Sequence, residues 1–178
     1  LTLASSSYPT YTVGNEEDSM DLFDIAIKLE QEGAQLYTEL AQRAPTEGFT
    51  TIFKMLADDE KKHESYFRVL QGRSALVTVS SSVLEQAKQV FRDFNPDNFF
   101  VIDGQIPAYE EALLVEKKSI DFYTEQLPSL EFEAEKKALK LIIAEEKRHY
   151  AILEEIIKLV TRPHRWVESA EFGVREEY

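Results

Sequence analysis

The sequence predicts an all-α protein, a four-helix bundle of two helical hairpins joined by a long crossover. Three observations carry this expectation. Apolar residues recur at the three- and four-residue spacing of a helix face over four long stretches. A short proline-containing break joins the first stretch to the second, and another joins the third to the fourth. The segment from Gly72 to Asp103, between the second and third, is too long for a turn.

The helical pattern begins at Asp18. Leu22, Ile25, Ala26, Leu29, Gly33, Leu36, Tyr37 and Leu40 share one face of the first helix. Pro45 ends it, and Thr46 is placed to cap the next. The second helix carries Phe49, Ile52, Phe53, Leu56, Ala57, His63, Phe67 and Leu70, and Gly72 closes it. Within the crossover, Val83, Leu84, Ala87, Val90, Phe91 and Phe94 predict a short amphipathic helix. The third long helix runs from Ile106 or Pro107 to about Leu127. Pro128 and Ser129 break the pattern, with Ser129 the expected cap of a fourth helix from Leu130 to Val160. The domain reading is an arm over 1–17, a bundle over 18–160 and a tail over 161–178. Pro163, Trp166 and Phe172 suit that tail to packing on the bundle or on a partner subunit.

A chain of 178 residues is long enough for one domain with a sizeable core. The net charge of −13 argues against nucleic acid and against an anionic membrane surface, both of which recruit basic groups. No apolar run reaches the roughly 18–20 residues of a membrane span. The absence of cysteine excludes disulfides, thiolate nucleophiles and Cys-ligated metals. Leu1 to Gly14 is rich in Ser, Thr and Tyr and does not read as a signal peptide, so the cytoplasm is the default location. The chain opens on Leu1 rather than Met, which leaves room for residues upstream.

Shifted by 86 residues, the second half of the chain falls on the first. Glu30 meets Glu116, Glu60 meets Glu146 and His63 meets His149. Tyr37 meets Tyr123, Glu39 meets Glu125 and Asp59 meets Glu145. In each half the two glutamates lie 30 residues apart, with the midpoint in or beside the break, at Pro45 or Glu131. A hairpin folded at its midpoint brings both to one height, about 22 Å from the turn at about 1.5 Å per residue. Each Glu-x-x-His pair lies on one helix face. Two such hairpins docked face to face would place four carboxylates and two imidazoles in one interior layer.

Without cations that layer would be costly, since buried carboxylates lose hydration and repel each other. Two divalent ions balance four carboxylate charges. The donor set suits iron or manganese; calcium favours oxygen throughout, and structural zinc usually recruits cysteine. Glu30, Glu60, His63, Glu116, Glu146 and His149 are therefore the expected metal ligands, with Glu60 and Glu146 able to bridge. This matches the ligand pattern of known di-iron and di-manganese carboxylate bundles, which also use a long crossover. Iron is the expected occupant, with manganese or zinc as alternatives.

Neighbouring residues have weaker readings. Glu145 is one turn from His149, but the repeat favours Glu146; Asp59 and Glu145 remain candidates to support a histidine. Glu39 and Glu125 fall on the opposite side of their helices and read as solvent-facing. Tyr37 and Tyr123 lie two turns beyond their glutamates. They read as core residues, or as catalytic phenols that donate to a ligand carboxylate or undergo redox chemistry. Gly33 and Ser119, three residues beyond Glu30 and Glu116, either leave room for an oxidant or let helices approach. His164 has no counterpart in the repeat and reads as structural or exposed.

Four stretches resemble the rubrerythrin family of ferritin-like di-iron proteins. They are Ala26–Gly33 with Tyr37, Leu56–His63, Glu116 with Phe122 and Tyr123, and Ile142–His149. The resemblance covers about residues 18–160, and the ending from Trp166 to Tyr178 also looks like tails of this group. It implies a ferritin-like bundle, a di-iron centre that reduces hydrogen peroxide or dioxygen, and a homodimer. It also implies relatives that oxidise or store iron. Two departures matter. With no cysteine in this sequence the Cys ligands of a rubredoxin module are missing from it, so any reductant must come from another protein or domain. Ser119 stands where these proteins typically carry a further glutamate, which makes the centre the plain four-Glu, two-His kind and brings a ferroxidase reading closer.

Overall fold

The computed structural model describes residues 21–72, 82–93 and 104–171, with side chains as far as Thr161. Five α-helices and no strand are found among the described residues: α1 Leu22–Arg43, α2 Glu47–Gln71, α3 Val83–Asp93, α4 Gln105–Gln126 and α5 Glu133–Glu171. The α1–α2 and α4–α5 hairpins form the ferritin-like four-helix bundle; α1 also packs on α4 and α2 on α5. The crossover helix α3 lies against α2 and α5. The arm 1–17 lies outside the described residues, as do Phe94 and the tail side chains Pro163, His164, Trp166 and Phe172.

Local chemistry explains most boundaries. Thr46 caps α2, its hydroxyl accepting from the Phe49 N–H at 3.2 Å. Gly72 closes α2 with its N–H donated to the Arg68 carbonyl at 3.0 Å. The start of α4 is set by Gly104, whose φ of 84° lies in the left-handed region that costs a side-chain-bearing residue about 1–2 kcal/mol. The buried Gln105 amide donates to the Arg43 carbonyl at 3.3 Å, which satisfies an end of α1 and ties the two hairpins together.

The fourth long helix departs from expectation at both ends. Ser129 is not its cap. Leu127–Ser129 forms a 3₁₀ turn, and the Ser129 hydroxyl donates back to the Gln126 carbonyl at 2.7 Å. The chain then extends at Leu130, which is buried, and α5 starts at Glu133 rather than Leu130. At the other end α5 passes Val160 and continues to Glu171. Apolar periodicity marks where a helix packs, not where its backbone hydrogen bonding ends.

Two apolar clusters fill the bundle. One contains Phe49, Phe53, Leu56, Tyr109, Ile152 and Ile156, with Val83 and Ala87 of α3 sealed into it. The other contains Ala26, Phe67, Leu70, Leu139 and Ile142. The crossover docks closely: a Cβ added at Gly48 would stand 2.7 Å from Val90 Cγ1. Overpacking of about 1–3 kcal/mol should outweigh the helix-propensity gain of about 1 kcal/mol. Gly48→Ala is therefore expected to lower stability by about 1 kcal/mol in a thermal melt. Adding Val90→Ala should recover most of the loss. An unchanged melt for the single variant would contradict this account of the docking.

Candidate metal centre

Glu30 is supplied by α1, Glu60 and His63 by α2, Glu116 by α4, and Glu146 and His149 by α5. Each sits on the inward stripe of its helix, one turn from core residues such as Ala26, Leu56, Ala112 and Ile142. All six are 4% exposed or less. The structure thus brings together every residue that the repeat aligned in this layer.

Their polar atoms form two overlapping groups. Glu30, Glu60, His63 and Glu146 each offer one atom within 4.8 Å of the others, and Glu60, Glu116, Glu146 and His149 do the same. Glu60 and Glu146 belong to both. His63 Nδ1 stands 2.8 Å from Glu146, 3.4 Å from Glu30 and 3.9 Å from Glu60. His149 Nδ1 stands 3.0 Å from Glu60 and 3.7 Å from both Glu116 and Glu146. The two rings stack with centroids 5.7 Å apart.

These atoms converge without pairing off. Glu30 Oε2, Glu60 Oε1, Glu116 Oε2, Glu146 Oε1 and both Nδ1 atoms are buried and have no hydrogen-bond partner. His63 Nδ1 approaches Glu146 Oε1 at 2.8 Å, as an ion-pair contact if the imidazole is protonated. Buried polar atoms are normally satisfied, so this concentration of orphans asks for a cation. Oxygen and nitrogen donors without sulfur fit iron. The cluster is compatible with a dinuclear iron site.

The protein's own electrostatics point the same way. Burial, then the proximity of Glu146, pushes Glu60 and Glu116 well above the usual carboxylate range. Burial would also raise Glu146, but His63 and His149 beside it bring it well below. For His63, burial opposes the charged form, yet Glu146 and Glu30 raise it well above the usual imidazole range. Burial likewise opposes charge on His149, where Asp59, Glu146 and Glu60 prevail. In the protein alone, protons supply part of the positive charge that the layer lacks.

Tyr37 and Tyr123 are fully buried and reach across the bundle. Tyr37 Oη donates to Glu116 Oε1, and Tyr123 Oη donates to Glu30 Oε1 at 2.5 Å. Each phenol therefore serves the carboxylate of the other hairpin. Burial, then the neighbouring carboxylates, pushes both phenols well above their usual range, which keeps them protonated donors. Sequence spacing suggested a carboxylate partner but could not say which.

The secondary residues divide. Glu39 and Glu125 are exposed, as their helical phase required. Asp59 approaches His149 Nε2 at 3.6 Å, whereas Glu145 turns to Arg148. Gly33 is packed under Glu60: an added Cβ would meet its carboxylate carbon and Oε2 at 3.3 Å. Ser119, the counterpart of Gly33 in the repeat, is buried.

In comparison with known families, the family model described as Rubrerythrin matches residues 21–157. No match is found among curated proteins or among solved structures. No described helix is long and apolar enough to cross a membrane.

Proposed function

Because this chain belongs to the rubrerythrin family, we propose that its buried cluster holds two iron ions and reduces hydrogen peroxide or dioxygen with electrons from an external donor protein. The observation that carries this reading is the pair of overlapping donor groups sharing Glu60 and Glu146. Glu30 and His63 complete one position, and Glu116 and His149 the other. Bound as a ferrous pair, the ions would supply the two electrons that turn peroxide and two protons into two waters. The chain's own groups would hold the ions, while burial excludes water from the layer and keeps phenolic protons at Tyr37 and Tyr123 Oη. The setting is the cytoplasm, which is reducing.

Anaerobic loading with ferrous iron, followed by stopped-flow mixing with peroxide, tests the reading. Oxidation of about two irons per peroxide is expected from the two-electron chemistry. Iron content far below two per chain after loading would sink it. Within that assay, Tyr37→Phe should slow oxidation roughly 10-fold, the size of effect typical for a lost partner of a ligand carboxylate. An unchanged rate would reduce Tyr37 to core packing.

A second reading makes iron itself the substrate. Ser119, buried and carrying no carboxylate, favours it, because the family resemblance predicts a further glutamate there. Successive ferrous additions that are oxidised and retained would decide for it; rapid peroxide consumption with a supplied reductant would decide against. Leu114, Phe132 and Leu141 are exposed apolar residues on or beside α4 and α5. They suit the homodimer that belongs to the same proposal, with sedimentation as its check.

A further inference from the structure

The repeat leaves one difference beside the centre. Asp59 and Glu145 occupy equivalent positions, just before Glu60 and Glu146, and differ by one methylene. Asp59 is buried, and its Oδ2 stands 3.6 Å from His149 Nε2. Its Oδ1 accepts a 2.7 Å hydrogen bond from the Lys62 ammonium, which compensates the buried charge. Glu145 is buried too, but one oxygen engages Arg148 and the other, Oε2, has no hydrogen-bond partner. Among the described residues no ion pair joins Glu145 to His63, whose carboxylate contacts are all at Nδ1.

The two imidazoles are therefore unequal. Both turn Nδ1 into the cluster, but among the described residues only His149 has a carboxylate paired with its far nitrogen. His149 Nε2 is buried without a hydrogen bond, and Asp59 lies only a few tenths of an ångström beyond hydrogen-bond reach. A carboxylate behind a ligating imidazole fixes the proton on the far nitrogen, orients the near lone pair and raises its basicity. Resting on the dinuclear reading above, we propose that Asp59 is a positioning residue that makes the two metal positions unequal. The position of His149, Glu60, Glu116 and Glu146 fills first. The position of His63, Glu30, Glu60 and Glu146 fills second.

Anaerobic titration of the full metal-free chain with Co(II), followed by calorimetry and visible absorption, tests this. Two steps are expected, with affinities about 10-fold or more apart. His149→Ala should remove the tighter step and His63→Ala the weaker. Asp59→Asn, which keeps shape and loses charge, should weaken the tighter step roughly 10-fold and shift its absorption band. Glu145→Gln should leave both steps within about 3-fold, below the usual effect of a lost supporting partner. A wild type that binds two ions with equal affinity would overturn the inference without any variant, while leaving the dinuclear centre standing. So would Asp59→Asn weakening both steps alike. Fewer than two Co(II) per chain would overturn the dinuclear reading and this inference with it.

Discussion

Glu60→Ala is expected to empty both metal positions at once. Glu60 is the α2 carboxylate common to the two donor groups, so its loss removes a ligand from each. Losing a direct ligand from each position should weaken binding by more than the about 10–100-fold typical of a lost supporting partner. Elemental analysis after anaerobic iron loading and desalting should fall from about two ions per chain, the ligand pattern's usual complement, to near none. Glu39→Ala, at an exposed position on α1, should behave as wild type. Retention of full metal content by Glu60→Ala would remove the bridging role.

The second large effect is on stability. A ligand that binds only the folded state at about 1,000 times its Kd adds about 4 kcal/mol. For a chain of this size about 1 kcal/mol moves Tm by about 2–4 °C, so one tightly held ion should raise it by about 10 °C. Melts with and without a chelator would measure this. In the metal-free state the sign reverses for the variant. Metal-free Glu60→Ala should melt above metal-free wild type, because burial and Glu146 already disfavour charge on Glu60. A Tm indifferent to chelation would support a third reading, in which the polar layer only fixes helix register.

Much of this centre was legible in the sequence, and the limit lies where hairpin meets hairpin. Folding each hairpin at Pro45 or beside Pro128 sets the heights of Glu30 against Glu60 and of Glu116 against Glu146. Thr46 capped α2 with its hydroxyl as expected, and α2 ended at Gly72 as expected, through the Gly72 backbone N–H and at a right-handed φ of −77°. Ser129 did not cap α5, because the turn after α4 kept its hydroxyl for Gln126. The pairing of Tyr37 with Glu116 and of Tyr123 with Glu30 depends on how α1 meets α4. Spacing within one helix carries no information on that register. Leu113, Leu114, Val115 and Ile120 spread apolar groups round much of α4, so its inward side is weakly marked. The contrast between Asp59 and Glu145 was equally hidden, since one methylene decides whether a carboxylate reaches a histidine or an arginine.

The crossed contacts also say something about assembly. Tyr37 reaches Glu116 while Tyr123 reaches Glu30, and His63 faces Glu146 while His149 faces Glu60. That is the reciprocity of an isologous interface about a two-fold axis. A lone hairpin carries a tyrosine whose acceptor it does not possess. Two copies of one hairpin, associating about such an axis, would regenerate the same set of contacts. The segment between α2 and α4 keeps both hairpins in one chain and so makes that encounter intramolecular.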